Sequence, residues 1–302
     1  MIELSLLIQN CVQFGHQTWR WCPRMAPFIW GKKNGIHLID VSKTAQQLER
    51  AAQFLESIAS EGKQILWIGT KPAAKETVDA IGRRLRMPAV AHRWIGGTLT
   101  NNSQVKKSIT KLLHLKDVIE KYDKEQYTKK ELGTVQKLAD RLNKNVGGIQ
   151  TLNWPVGALV VVDIRKEHSA VREAIAAGVP VVAIVDTNND PSTVEYPIPA
   201  NDDVARSIRV LLDYLADAAE RGYKVAKASR KAPEAAASAV AQQQEVAQLV
   251  EQAIGLSEEE TNDNKKKARP VVGGAQPKRP VNARGGSAPR GGAPRRGPKR
   301  GE

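Results

Sequence analysis

Two hydrophobic periods alternate along the first 225 residues of this 302-residue chain. Short unbroken apolar runs, Gln64–Ile68, Ala158–Val162 and Val181–Val185, read as strands buried on both faces, the mark of a parallel sheet. Between them stand segments whose apolar residues recur three and four apart. Asp40–Gly62 carries Leu48, Ala51, Ala52, Leu55, Ile58 and Ala59 on one helical face, with Asp40 or Ser42 as its cap and Gly62 as its stop. Pro72 opens a helix that runs to about Arg86. A further helix follows His168 and ends at Gly178, and Asn201, Asp202 and Asp203 cap another that runs to about Glu220. Ile2–Ile8 reads as a short helix, Ala89–Val90 as a short strand, and Tyr196–Pro199 as a short extended piece. Strands alternating with helices of this length predict a doubly wound α/β sheet.

Three stretches depart from that rhythm. Ser103–Tyr122 places Val105, Ile109, Leu112, Leu115, Ile119 and Tyr122 near a period of 3.5, a coiled-coil-like stripe. Thr128 and Glu131 form a capping box for a second helix through Leu132, Val135, Leu138 and Leu142 to Asn145. The connection Asp123–Tyr127 is short, so residues 103–146 predict an antiparallel helical hairpin inserted into the body. Phe28–Trp30 and Ile36–Ile39 read as a β-hairpin with Lys32 and Lys33 at its tip. Phe14–Arg24 interleaves aromatic, basic and polar residues with neither period and reads as a loop.

Charge changes the picture. The formal charge is +14 and the pI about 9.8, which points to a polyanionic partner. Lys265–Glu302 holds twelve Lys and Arg against one acid, leaving residues 1–264 at only +3. Within that body Gly62–Lys116 has eleven bases and two acids, and Asp186–Glu220 has eight acids and two bases. The body is therefore expected to carry one basic flank and one acidic flank. From 226 onward the composition shifts. Pro233–Leu256 is rich in Ala and Gln and reads as a lone helix. From Asn262 the Arg/Gly/Pro-rich segment, with Arg284-Gly-Gly and Arg290-Gly-Gly, has too little apolar surface to order itself. The tail 226–302 is thus expected to be mostly disordered, serving either weak nucleic-acid binding or solubility.

Cys11 and Cys22 form no CxxC pair and imply no disulfide framework, so a reducing compartment is the simplest reading. Met1–Leu7 lacks a positive n-region and carries Glu3, a poor signal peptide. No apolar stretch approaches the ~20 residues of a membrane span. The reading is a soluble intracellular protein.

Candidate chemistry centres on Arg93–Asn102. Gly96 and Gly97 permit close backbone approach, Thr98, Thr100, Asn101 and Asn102 offer small polar groups, and Arg93, Lys106 and Lys107 flank them. Two readings stand: a phosphate cradle at the start of a helix, or a tight turn with Asn102 or Ser103 as N-cap. Phe14–Arg24 either stacks on RNA or wraps a core edge. Asp163, Asp186, Asp202 and Asp203 fall at strand ends or helix caps, where they either hold a hard divalent cation, placed near Asp186 and Asp202, or close turns. Zinc on Cys11, Cys22 and His16 lacks diagnostic spacing. The chain has no GxGxxG after a strand, no Walker A motif and no GxSxG elbow, and its five histidines include no HExxH pair. No catalytic residue and no firm cofactor are assigned. The competing class is an α/β enzyme that takes a phosphorylated metabolite over Gly69, Asp163 and Asp186. A third is an RNA-binding module driven by the tail.

Seven segments, in order and in register from Phe14 to about Ala216, resemble the bacterial small-subunit ribosomal protein S-two family. They are Phe14–Thr18, Asn34–Asp40, Ile68–Lys71, Arg93–Asn101, Val162–His168, Ala183–Asn188 and Ile198–Asp203. The resemblance implies a flavodoxin-like α/β body over 1–225 with the inserted hairpin, and no catalysis. It implies binding of small-subunit rRNA between head and body, contact with neighbouring small-subunit proteins, and a part in docking the mRNA-binding protein S-one. The expected setting is the ribosome of a bacterial cytoplasm rather than an organelle, without a membrane or a stable homo-oligomer. The residues expected to face RNA are His16, Arg20, Arg24, Lys32, Lys33, Arg93, Trp94, Gly96, Gly97, Thr98, Asn101, Asn102, Lys106 and Lys107. The chain departs from the family pattern at Gln13, where a histidine is expected, and at Trp19, where a basic residue is expected.

Overall fold

The unbroken apolar runs become the middle of a five-stranded parallel sheet. In the computed structural model, which describes residues 2–121 and 128–228, the strands are β4 (Gln64–Ile68), β5 (Ala89–Val90), β6 (Val156–Val162), β7 (Val181–Val185) and β8 (Tyr196–Pro199). Their order is β5-β4-β6-β7-β8, the flavodoxin-like arrangement, with the chain reversing direction between β4 and β6. Trp67 stands opposite Ala89 on one side and Val160 on the other, Val160 opposite Val182, and Val182 opposite Tyr196. Every residue of β6 and β7 is buried, as a sheet covered on both faces requires.

Alternate side chains enter two separate cores. Ile65, Trp67, Val160, Val162, Val182 and Ile184 pack on one face against α2 (Val41–Ser60), α3 (Pro72–Leu85) and α7 (205–228). Leu66, Ile68, Leu159, Val161, Ala183 and Val185 pack on the other against α6 (His168–Ala176) and the base of the hairpin, α4 (Asn102–Glu120) and α5 (Lys129–Val146). Burying large apolar side chains at ~1.5–3 kcal/mol each makes these cores the main source of stability. Gly222 lets α7 lie directly on α2, because a Cβ there would meet the Glu56 carbonyl oxygen at 2.3 Å.

The expected caps are present: Asp40 Oδ1 accepts from Ser42 N at 3.0 Å, and Thr128 and Glu131 close the capping box of α5. The helices α4 and α5 pack on each other, with Val105 and Leu112 buried at the root of the stripe. Their connection, Tyr122 included, lies outside the described residues. So do the Ala/Gln-rich segment and the basic tail. All described residues belong to one compact unit, Met1–Ser238.

Four expectations need correction. Phe14–Gln17 is a strand, β1, not loop; it pairs antiparallel with β3 (Ile36–Ile39), which pairs with β2 (Ile29–Lys33). The tip of that hairpin is Asn34-Gly35, at φ 51° and 77°, the paired positive φ that a tight hairpin turn demands. Lys32 and Lys33 therefore sit within β2. Tyr196–Pro199 is extended as expected, and it pairs with β7 as an edge strand, where proline costs least because the outer side carries no ladder. Helix α4 takes Asn101 as its N-cap, without a side-chain capping bond, and α7 continues past Glu220.

Candidate nucleic-acid interface and the strand-end charge cluster

The carboxyl ends of the five parallel strands form one edge, the place where this architecture seats ligands. Over β6, β7 and β8 the edge is acidic. Asp163 follows β6, Asp186 follows β7, and Asp202 and Asp203 follow β8. Lys71, from the turn after β4, reaches across to them: its Nζ lies 2.7 Å from Asp202 Oδ1, 2.5 Å from Asp203 Oδ1 and 3.6 Å from Asp163 Oδ2. Burial pulls Lys71 down, but these carboxylates outweigh it and hold the ammonium above its ordinary range. Asp163 adopts φ 66° and closes its own turn, its Oδ1 accepting from Arg165 N at 3.0 Å and Asn189 Nδ2 at 3.2 Å.

His16 enters the same cluster from β1. Gly15 makes the approach possible, since a Cβ there would meet Thr187 Cγ2 at 2.5 Å, and His16 N donates to Thr187 Oγ1 at 2.8 Å. The ring places Nδ1 3.1 Å from Asp186 Oδ2 and Nε2 3.5 Å from Asp203 Oδ2. The Asp186 carboxylate raises His16 above its usual value, against burial. Asp202 is fully buried, and burial, then the charges of Asp186 and Asp163, push its carboxyl up to about 7, with Lys71 offsetting only part.

The residues can accommodate a cation beside Lys71. One donor atom from each of His16, Asp186, Asp202 and Asp203 lies within 4.8 Å of the others. Asp202 Oδ2 is buried without a hydrogen-bond partner, so a buried acceptor faces this space unsatisfied. An imidazole with three carboxylates suits zinc or another divalent ion. Cys11 and Cys22 are not in this donor set.

The other half of the edge, over β5, β4 and β6, is basic and open. The Arg93–Asn102 loop does form a ring of donors, but a side chain of the protein already fills it. Glu173 of α6 accepts from Gly97 N at 2.8 Å and Trp94 Nε1 at 3.0 Å through Oε1, and from Leu99 N at 3.1 Å through Oε2. The internal carboxylate takes the place a phosphate oxygen would occupy and pins the loop to the body. Neither of the two readings of the sequence included this. Nothing local in the sequence marked Glu173, which reads as one more polar helix position.

The expected RNA-facing residues separate accordingly. Trp94 and Thr98 are buried, and His16 belongs to the acid cluster. These three are turned inward, because tryptophan's ring completes the second core and Thr98 Oγ1 donates to Ile95 O at 2.7 Å. Gly97 keeps φ 89° at the turn and is partly covered. Arg93, Gly96, Asn101, Lys106 and Lys107 are exposed, Asn102 half-buried, and none of these three cations is ion-paired among the described residues. Arg20, Arg24, Lys32 and Lys33 lie exposed on the three-stranded sheet and its following turns. Arg24 is held by Asp190 and Ser192, and Arg20 lies 5.5 Å over the Trp19 ring. The sequence reading missed Lys75 and Lys166, which line a cleft with Arg93 between the first turns of α3 and α6.

A doubly wound sheet whose ligand edge is plugged on one side by its own lysine and left cationic on the other is a scaffold that presents positive charge on one half of that edge. Residues 7–222 match the family model described as Ribosomal protein S2. The chain is 41% identical to the small ribosomal subunit protein uS2 of Micrococcus luteus over 260 residues, 84% of this chain and 91% of that one. The chain belongs to the ribosomal protein S-two family, whose members are structural, non-enzymatic proteins of the small ribosomal subunit that serve translation. Among the described residues no helix is long and apolar enough to cross a membrane.

Proposed function

We propose that the protein binds small-subunit rRNA through the open, cationic half of its strand edge and the root of its hairpin, in the ribosome of a bacterial cytoplasm. The observation that carries this reading is the exposed set Arg93, Lys106 and Lys107, uncompensated by any carboxylate among the described residues, beside a loop that Glu173 holds rigid. Unpaired cations on a fixed backbone suit phosphate contacts, which set register and affinity without reading bases. Binding of rRNA then weakens with salt, with a log–log slope of about −0.7 to −0.9 per phosphate contacted. Filter binding of a small-subunit rRNA fragment across a salt series measures the slope, and a flat line overturns the reading.

We infer a second role for the acidic half and the three-stranded sheet. Trp19, Trp30 and Phe14 are 77%, 76% and 43% exposed, an aromatic surface suited to a protein partner. We assign to this face the docking of S-one that the family resemblance implies. His16, Asp186, Asp202 and Asp203 would hold a divalent cation at its margin, and a cation there would satisfy Asp202 Oδ2. Trp30→Ala should release S-one from purified subunits while rRNA binding stays intact. Retention of S-one at full occupancy removes this face from the role.

A further inference from the structure

The cleft between the first turns of α3 and α6 stands at the switch point of the sheet, where the chain winds one way from β4 and the other from β6. It encloses about 600 Å³, within the size range of small-ligand sites. Lys75, Arg93 and Lys166 line it, and no ion pair neutralises them among the described residues. Neither helix has a side-chain capping bond at its N-terminus, so the helix ends add positive potential to the cleft, beside the carboxylate of Glu167, the N-cap residue of α6. His92, Trp94, Gly96 and Ser169 also line the cleft.

One carboxylate belongs to this cationic cleft. Glu167 is buried, and its Oε1 accepts from Thr70 N at 3.1 Å and from Thr70 Oγ1. Both donors therefore hold the same oxygen. A fixed carboxylate in a pocket otherwise made for an anion suits a ligand that carries a hydroxyl donor next to its phosphate. A ribonucleotide is such a ligand, because its 2′-hydroxyl donates where a deoxyribose has only hydrogen.

The geometry points to a site for one ribonucleotide unit of RNA, its phosphate among Lys75, Arg93 and Lys166 and its 2′-hydroxyl toward Glu167. It rests on the RNA reading above and goes beyond it by naming the unit held and the group that tells RNA from DNA. Lys75, Lys166 and Glu167 lie outside the loop and hairpin residues that carry that reading.

Fluorescence anisotropy of the full chain with a short 5′-phosphorylated single-stranded RNA, its DNA counterpart and free adenosine 5′-monophosphate as competitor tests this. The double variant Lys75→Ala, Lys166→Ala should bind the RNA about tenfold more weakly, with a salt slope flatter by about 0.7 per lost phosphate contact. Glu167→Gln, which keeps an oxygen for Thr70, should bind RNA and DNA alike, whereas the native chain prefers RNA. Circular dichroism checks that both variants remain folded. Native affinity in the double variant, or an undiminished RNA preference in Glu167→Gln, overturns the site. If Lys106→Ala, Lys107→Ala weakens binding while the cleft variants do not, the broader RNA reading survives alone. Saturation by adenosine 5′-monophosphate with no RNA binding overturns the RNA assignment in favour of a free nucleotide.

Discussion

Over β6, β7 and β8 one lysine meets three carboxylates and an imidazole approaches from β1. Over β5, β4 and β6 three cations share a cleft with one carboxylate that is turned to Thr70. Both halves belong to the same edge of the same sheet and differ in whether the charges find partners inside the protein. A mutually paired, mostly buried cluster is a structural commitment, because removing a member leaves its buried partners charged in a poor solvent. An unbalanced, exposed set costs little to keep and little to lose, and is free to meet a polyanion.

The comparison breaks most visibly at Lys71. Lys71→Met leaves Asp163, Asp202 and Asp203 facing one another without the ammonium that pairs with all three. Breaking one side of a buried ion pair costs about 3–5 kcal/mol, and thermal unfolding of a chain this size falls by roughly 2–4 °C per kcal/mol. The melting temperature at pH 8 should therefore drop by about 10 °C, whereas Lys75→Met in the open half should shift it by no more than about 2 °C. Equal shifts in the two variants would erase the distinction between the halves.

Glu173 tests whether the open half depends on an internal anion. Glu173→Ala strips the acceptor from Gly97 N, Leu99 N and Trp94 Nε1 at once. Each hydrogen bond to a charged acceptor is worth about 1.5–3 kcal/mol, and all three fall on one loop, so the loss should be confined to that loop. Amide hydrogen exchange at Gly97 and Leu99 should accelerate, and rRNA affinity should fall although no cation has been touched. Unchanged exchange at both amides would show that the loop holds itself.

The acidic half predicts a pH dependence of definite sign. Asp202 is raised from 3.8 to about 7 by burial and by Asp186 and Asp163. The folded chain holds a proton that the unfolded chain releases, so this contribution is full below about 4 and is lost as pH rises through about 7. His16, raised by Asp186, acts in the same direction: its contribution is full below about 6.5 and is lost as pH rises beyond that. The protein should melt a few degrees higher at pH 5 than at pH 8. A divalent ion on these donors displaces the protons and should narrow the gap by raising the pH 8 value, reversibly with chelator. A melting point that climbs steadily from pH 5 to pH 8 without metal would contradict the assigned environment of Asp202.

How much of this was legible in the sequence divides along the same line of local against distant. The central strands, the capping box of Thr128 and Glu131, and the stops at Gly62 and Gly178 each rest on residues within one or two turns of each other, and they were read correctly. Strand β1 was not, because Phe14–Gln17 has no period of its own and is a strand only through its partner β3. Strand β8 was legible as a short extended piece, and its edge position, which accommodates Pro197 and Pro199, is set by its pairing with β7. The site suffered most. Lys71 meets Asp202 across 131 residues and Glu173 meets Gly97 across 76, and no local pattern announces such pairs. The phosphate-like cradle of Arg93–Asn102 was visible in the sequence, and its internal occupant was not.

The smallest effect on stability should come from the residues that matter most for binding. Arg93 and Lys106 are exposed, make no ion pair among the described residues and contribute no side chain to either core. Arg93→Ala with Lys106→Ala should leave the melting temperature within about 2 °C of the native value, since surface changes away from caps and cores stay within roughly 0.5 kcal/mol. The same variant should bind rRNA about tenfold more weakly or worse, with a salt slope flatter by about 1.4–1.8, two contacts at 0.7–0.9 each. Lys71→Met inverts this pairing, costing stability first and binding only through it. If the Arg93 and Lys106 variant melts early while its surviving folded fraction binds rRNA normally, the open half is structural too, and the division of the edge into a balanced and an available half fails.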